Sequence, residues 1–576
     1  MNTKRHAVKV AGPSGSGINI SGEILARALK RSGYCVFAYR EYPSLIKGGY
    51  STYQIDFSPD PIKAVGSNVD IEVALTKETL LQSIKTLSAN AVVVYDEALT
   101  LSEQDQAFCA LSNATFVPVP LNALIAKAGA QPIMKNTTML GVVWKILDLD
   151  PVTLEQTVGD MIKKGAEADA MNRKCVEEGF AWYTGNTIPR LNPQERWKLQ
   201  NVVTGNHALS FGAVAAGVRA YFSYPMTPAS SILTILAKLS DKTGMLVKQA
   251  EDEITAANLS LGAMHAGTRA FTATSGGGFD LMTETLSMAA IAEVPFVCVI
   301  AQRPGPATGV PTYTTQGDLN LAVHAGHGEF ARLVLAMSDG DDAFYLMATA
   351  FNYAEKYRIP VIVLTEKHIA ESLFTIADYD ATKIPIDRGK IVSDDQLSGF
   401  TSDDHYRITD DGVSARWLPG QKGPFFLTTS YEHRENGDMT EDAEDIKQMI
   451  DKRMRKEQTL FNDIPDAELI GPEGASITFV GWGSSAMVMT DVLNLINSSG
   501  KKVNYLHYTY LNPLKTERLE RIAANGGKLF LIENNFKGQL GELLETKAKI
   551  AFTQKLLKYD GRPFFLEEVL EFIEKI

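Results

Sequence analysis

Cysteine is scarce and scattered: Cys35, Cys109, Cys175 and Cys298 stand singly in 576 residues, with no C-x-x-C and no spacing that suits a metal. That excludes a disulfide scaffold and an iron–sulfur cluster on this chain, and the apolar setting of Cys298, VPFVCVIAQ, marks buried structural thiols. Long hydrophobic runs are missing too. Apolar stretches are broken by polar or charged residues within about 10 to 14 positions, short of the ~20 that a membrane helix needs. The opening MNTKRHAVKVAG enters a strand pattern without the apolar segment of a secretion signal, so a soluble, cytoplasmic protein without membrane attachment is expected. Excess positive charge is absent, the formal net charge being −12, which argues against nonspecific nucleic-acid binding. No G-x-S-x-G elbow supports serine hydrolysis. His207, His324 and His327 have neither metal spacing nor an evident catalytic partner, and no metal site is expected here.

What is present is ordinary globular composition, 45% apolar and 22% charged, over a length that suits roughly three or four domains. From His6 to Ala11 a short buried strand runs into GPSGSGINISGEILARALKRSG, a glycine turn and amphipathic helix ending at Gly33. Such a turn faces anions, yet Gly12, Gly15 and Gly17 lack the G-x-G-x-x-G spacing and no Walker lysine follows, so a plain βα turn is an equal reading. CVFAYREYPSLIKGGYSTYQIDFS reads as strand, exposed loop and strand. In the loop Tyr42–Gly49, Lys47, Gly48 and Gly49 suit a phosphate, a partner backbone or simply solvent. Strands at Ile71–Leu75, Ala91–Tyr95 and Thr115–Pro118, each followed by a helix, complete an α/β domain. Residues Ala166 to Trp197 turn polar and irregular and read as a linker. After the central section, Asp380–Asp438 reads as an extended surface excursion. TEDAEDIKQMIDKRMRKEQTL then reads as a charged helix capped by Thr440, its charges forming a solvated face. From Ala475 strands and helices alternate again, which predicts a small parallel sheet.

The central stretch Asn201–Asp318 concentrates the chemistry. Its polar clusters, Tyr224–Ser231, Glu251–Glu253 and Arg303–Thr312, fall where buried strands end or packed helices begin, so one sheet rim would collect them. Glu253 opens a helix of small residues and is either a charge favoured by the helix dipole or a buried acid. Arg303 follows a buried strand on a stiff Pro/Gly loop, where its planar fork suits a carboxylate or an ordinary ion pair. Thr227, between two prolines in YPMTP, has a nearly fixed hydroxyl or caps a turn.

YPMTPAS, QAEDEITA, TATSGGGFDLMTE and QRPGPATGVPT resemble the α subunit of 2-oxoacid:ferredoxin oxidoreductases, thiamine diphosphate enzymes, and GNHALSFGAVAAG resembles their opening helix. EYPSLIKGGYS resembles the γ subunit of the same enzymes, and FLIENNFKGQLGELL their transketolase C-terminal-like domain. The resemblance implies an α/β fold of several parallel or mixed-sheet domains. These are a γ-like domain at 1–190, a pyrimidine-binding thiamine diphosphate domain at 191–379, a surface excursion with the charged helix at 380–474, and the transketolase C-terminal-like domain at 475–576.

It further implies a fused γ/α subunit of EC 1.2.7 type, catalysing reversible, CoA-dependent oxidative decarboxylation of 2-oxoglutarate to succinyl-CoA with reduction of ferredoxin, as in carbon fixation. Pyruvate, branched-chain or broad-specificity enzymes are the alternative substrate reading, and a noncatalytic assembly subunit of an electron-transfer complex the alternative class. By this resemblance Glu253 is the catalytic, cofactor-binding acid that meets the aminopyrimidine ring across a subunit interface. Thr227 and Arg303 bind the substrate carboxylate, Arg303 also counting as catalytic, and Thr312 is a further substrate contact. No Gly-Asp-Gly with an Asn pair occurs, so Mg2+, the diphosphate site and a [4Fe-4S] cluster are expected on a β subunit in an (αβ)2 heterotetramer, with coenzyme A as co-substrate. The chain departs from the family at His207, Pro304 and Tyr313, positions that bear on the substrate.

Overall fold

A computed structural model describes residues 4–45 and 47–576. Met1–Thr3 of the N-terminal reading and Ile46 of the Tyr42–Gly49 loop lie outside them. The chain's own contacts divide it into two compact units: one is Met1–Val203 with Glu371–Asp378 and Phe564–Ile576, the other Thr204–Ala370 with Tyr379–Pro563.

The first unit is built on a mixed eight-stranded sheet in the order Thr115–Val119, Leu87–Asp96, Val69–Ala74, His6–Ser14, Gly48–Ser58, Cys35–Glu41, Leu373–Ile376, Asn201–Thr204. The first four strands run parallel, whereas Gly48–Ser58 pairs antiparallel with both of its neighbours. The strands expected at Ile71, Ala91 and Thr115 are all present, each followed by a helix, Lys77–Ser83, Glu103–Cys109 and Leu121–Lys127. The glycine turn leads into the helix Ile18–Arg31, and Gly17 holds a positive φ of 84° that only glycine adopts freely.

One expectation fails here. Ala166–Trp182, read as part of a linker, is a 17-residue helix packed on Lys135–Ile146. The contact relies on missing side chains. A Cβ at Gly141 would strike the carbonyl of Val176, and one at Gly179 the carbonyl of Thr138. Thr137 donates to buried Asn172 Oδ1 at 3.0 Å, so even the polar residue of this face is satisfied inside. Composition hid the helix because its buried side is made of Gly, Cys, Asn and one Val rather than of large apolar residues. Gly179→Ala is accordingly expected to destabilise the chain by about 1–3 kcal/mol through overpacking, read as a lowered midpoint in thermal or denaturant unfolding.

The second unit carries two sheets. The larger, in the order Tyr510–Asn512, Leu333–Ala336, Pro360–Glu366, Phe296–Gln302, Ala270–Thr274, Ala220–Ser223, Leu246–Gln249, is parallel except for its first strand. Phe296–Gln302 and Pro360–Glu366 are buried along their whole length, as continuous apolar strands covered on both faces must be. The smaller sheet takes the order Glu468–Ile470, Val503–Tyr508, Ile477–Trp482, Lys528–Glu533, Gln554–Leu557, parallel but for Glu468–Ile470. The two sheets are joined inside the unit by side-chain amides. Gln316 Nε2 donates to the Trp482 carbonyl at 2.7 Å, and its Oε1 accepts from Asn534 N at 2.8 Å.

The segment between them is not the open excursion that its Asp, Gly and Pro content predicts. Val392, Leu397 and Trp417 form a small core of their own, with Phe400, Ala415 and Phe426 packed on it. Its arginines are drawn inward as well: Arg388 and Arg416 join Arg269 around the buried Glu355, with contacts of 2.7, 3.2 and 2.7 Å respectively. The charged helix runs Ala443–Asp463 and is capped by Asp442, which accepts from Glu444 N and Asp445 N; Thr440 instead donates to Asp445 Oδ2. Nor are all its charges solvated, for Lys452 and Lys456 are buried against Glu293.

Candidate active site

Four parallel strands end on one rim: Ala220–Ser223, Leu246–Gln249, Ala270–Thr274 and Phe296–Gln302. Carboxyl ends of parallel strands are where an α/β sheet opens to a ligand. Tyr224–Ala229, Glu253, the Ser275–Gly278 turn and Arg303 all follow these ends within a few residues.

Glu253 is the first residue of the helix Glu253–His265 and is 4% exposed. It does not cap the helix. Asp252 does so, its side chain accepting from Thr255 N at 2.7 Å. Glu253 Oε1 is buried without a hydrogen-bond partner among the described residues. The glycine turn makes room for it: a Cβ added at Gly278 would lie 2.7 Å from Oε1 and would strike Thr274 Oγ1. A buried carboxylate oxygen without a donor is uncommon in a folded protein, because desolvation is left uncompensated. Of the two readings of Glu253 in the sequence, the structure favours the buried acid.

Arg303 and Thr227 are brought together, Nη1 donating to the Thr227 carbonyl at 2.8 Å across the rim. The guanidinium remains half-exposed, and burial pulls its pKa down while Asp318 pushes it back up. Thr312 is buried nine residues along the same loop. Beyond it the loop is anchored, since Thr314 Oγ1 donates to Glu366 Oε2 at 2.8 Å and Gln316 Nε2 to Glu366 Oε1 at 3.2 Å. Burial raises the Glu366 pKa against these bonds, and holds His368 down at about 3, a neutral imidazole. His207 is structural at its Nδ1, 2.7 Å from Thr204 Oγ1 at the start of its own helix.

One acidic residue on the rim escaped the sequence reading. Asp318 lies with its carboxylate against Gly276, where a Cβ would sit 2.6 Å from Oδ2, and that oxygen too is buried without a hydrogen-bond partner among the described residues. A position shortly after a strand-end arginine was the available signal, but Asp318 precedes the helix Leu319–His324 and reads as a plain cap. Among the described residues no cluster of three or more His, Cys, Asp or Glu is placed to hold a metal, and no helix is long and apolar enough to cross a membrane.

Comparison with known proteins matches two family models: pyruvate ferredoxin/flavodoxin oxidoreductase over residues 7–182, and the thiamine diphosphate-binding part of pyruvate flavodoxin/ferredoxin oxidoreductase over residues 211–452. The α subunit of a Sulfolobus 2-oxoacid:ferredoxin oxidoreductase is 30% identical, with 98% of this chain and 96% of that one covered. A Mycobacterium tuberculosis 2-oxoglutarate oxidoreductase subunit, KorA, is 27% identical over 98% of this chain and 90% of its own. Among solved structures, a 2-oxoglutarate:ferredoxin oxidoreductase from Magnetococcus marinus, with 2-oxoglutarate, coenzyme A and succinyl-CoA bound, matches with a TM-score of 0.91 and 29% identity, covering 100% of both chains.

Proposed function

The chain belongs to the 2-oxoacid:ferredoxin oxidoreductases, as an α subunit with a γ-type domain in the same polypeptide, and from that premise we propose that its substrate is 2-oxoglutarate. In this reading 2-oxoglutarate and coenzyme A give succinyl-CoA and carbon dioxide, and two electrons pass singly to ferredoxin. The observation that carries the substrate is the likeness over the full length of both chains to an enzyme solved with 2-oxoglutarate and succinyl-CoA. The enzyme has several subunits, and a β subunit completes it. The Mg2+ site and the [4Fe-4S] cluster belong to that subunit in an (αβ)2 assembly.

The rim suits thiamine diphosphate. A buried carboxyl oxygen without a partner among the described residues, set in a cradle that a Cβ at 278 would fill, suits a flat amino-bearing ring opposite it. When bound, the cofactor supplies a nucleophilic carbon and an electron sink for the bond to the departing carboxylate. Glu253 would meet its aminopyrimidine ring through Oε1, a carboxyl group held in place in a buried site. Arg303, steered by the Thr227 carbonyl, would receive the substrate carboxylate, while Thr227 and Thr312 add polar contacts. The carboxylate must be gripped without being overstabilised, because it leaves as carbon dioxide.

The test is copurification with the β subunit, then turnover of a panel of 2-oxoacids with a low-potential acceptor. Highest kcat/KM for 2-oxoglutarate is the expected result; equal rates across the panel would replace it with broad specificity, and no turnover at all would leave an assembly subunit. In the same complex Arg303→Lys is expected to raise KM for the oxoacid about tenfold or more, since a point charge replaces a two-pronged donor. An unchanged KM would remove Arg303 from the site.

A further inference from the structure

Two carboxylates share one glycine turn. Glu253 Oε1 rests on Gly278 and Asp318 Oδ2 on Gly276, and both oxygens are buried without a hydrogen-bond partner among the described residues. The proposed function uses the first and leaves the second without a task. Asp318 is nonetheless held with care. Its backbone N–H donates to Gln302 Oε1 at 3.0 Å, and Gln302 in turn donates to the Thr365 carbonyl at 3.2 Å. On either side, Gln539 donates to the Gly317 carbonyl at 2.7 Å and accepts from Asn320 N at 2.9 Å. Gln302 is the residue before Arg303, so one amide fixes the acid beside the arginine. Buried polar groups are normally satisfied, yet here the backbone is tied at Gly317, Asp318 and Asn320 while one carboxylate oxygen of Asp318 has no partner among the described residues.

We infer that Asp318 is a positioning residue whose carboxylate acts as counter-charge to Arg303, loosening the guanidinium's hold on the substrate carboxylate. The inference rests on Arg303 being the carboxylate binder. Arg303 and Asp318 each sit in the other's field, the arginine lowering the acid's pKa and the acid raising the arginine's. Asp280, from the element after the glycine turn, also faces Asp318; Glu253 lies against Gly278 of the same turn, and Gln302 and Gln539 are neutral. Burial, followed by Asp280, lifts the Asp318 pKa to about 6, with Arg303 opposing. The acid is therefore neutral below that pH and ionised above it. An incoming anion meets a full positive charge on Arg303 at low pH and a partly offset one at neutral pH.

The probe is N-oxalylglycine, a 2-oxoglutarate mimic that cannot lose carbon dioxide, titrated calorimetrically into the assembled complex between pH 5.5 and 8. Wild-type Kd is expected to weaken about three- to tenfold across that range, the size of a screened charge-charge effect. Asp318→Asn should bind with the low-pH Kd throughout, and in turnover its KM should fall together with its kcat. A packing role would move neither the pH slope nor that split. A flat wild-type profile overturns the inference even if the variant fails to assemble, and so does a variant with the wild-type slope. Arg303→Ala separates the two proposals: if it binds the probe as the wild type does, the site assignment itself falls. If it loses binding while Asp318→Asn changes nothing, only the counter-charge falls.

Discussion

Glu253→Gln is expected to reduce turnover of the assembled complex by about 10²- to 10⁴-fold, the range lost with a positioned acid or base, while leaving the fold intact. Ordinarily a buried carboxylate cannot be removed without harm, because its partners are left stranded. Here Oε1 has no partner among the described residues, and helix capping is handled by Asp252. Gln keeps the volume that fills the space above Gly278. The variant should thus unfold at the wild-type temperature or slightly above it, and copurify with the β subunit as before. Turnover with a low-potential acceptor, cofactor affinity by titration and a thermal melt would be measured on the same preparation. Turnover within about threefold of wild type, at unchanged cofactor affinity, would show that Glu253 is a spectator and that the rim does different work. A comparable loss of stability and turnover together would make it a structural acid.

Much of this rim was legible in the sequence, for a physical reason. Buried parallel strands are continuous apolar runs, VPFVCVIAQ and IPVIVLTEK among them, and whatever polar residue interrupts such a run stands at the strand's end, where an α/β sheet exposes its chemistry. Arg303 and the Tyr224 cluster were placed by that logic alone. Choosing between Asp252 and Glu253 was beyond it: adjacent acids at a helix start look alike, and only the backbone path decides which caps and which turns inward. Residues that act through distant partners were also invisible. Lys452 and Lys456 look like members of a solvated face until Glu293, 159 residues before Lys452, is folded against them. Trp417 similarly has no periodic context, so the segment around it reads as surface although it contains a core. Asp318 combines both difficulties, being an ordinary cap by position and bare only in three dimensions.

Glu293→Gln should be the most destabilising single change in the second unit, by about 3–5 kcal/mol, because it abandons two buried ammonium groups. Lys452 and Lys456 both contact the Glu293 carboxylate, the latter at 2.6 Å, and Arg358 lies alongside, donating through Nε to the Glu293 carbonyl at 2.9 Å. Burial alone would raise the Glu293 pKa, but Lys452, Lys456 and Arg358 outweigh it and hold the group well below the usual carboxylate range. One carboxylate cannot balance three cations. The excess shows on the lysines, where burial, against the pull of Glu293, brings Lys452 down to about 7 and Lys456 to about 8. Above those values the unfolded chain, with lysines near 10.5, holds more protons than the folded one. Stability from this cluster therefore rises as pH increases from about 7 towards 10. The same imbalance makes the lysines unequal to the acid under mutation. Lys452→Met removes a cation that is only partly charged near neutral pH, so its cost should stay within about 1 kcal/mol, whereas Glu293→Gln removes the one anion that contacts both lysines among the described residues. Adding Lys452→Met and Lys456→Met to Glu293→Gln should restore most of the loss, since an apolar replacement of a buried ionic group is often neutral or better. Hydrogen exchange along Ala443–Asp463 in the full-length chain would locate the effect, and denaturant unfolding would size it. If Glu293→Gln costs under about 1 kcal/mol, the two lysines are already neutral in the folded protein and the cluster is a hydrogen-bonded rather than an ionic clasp.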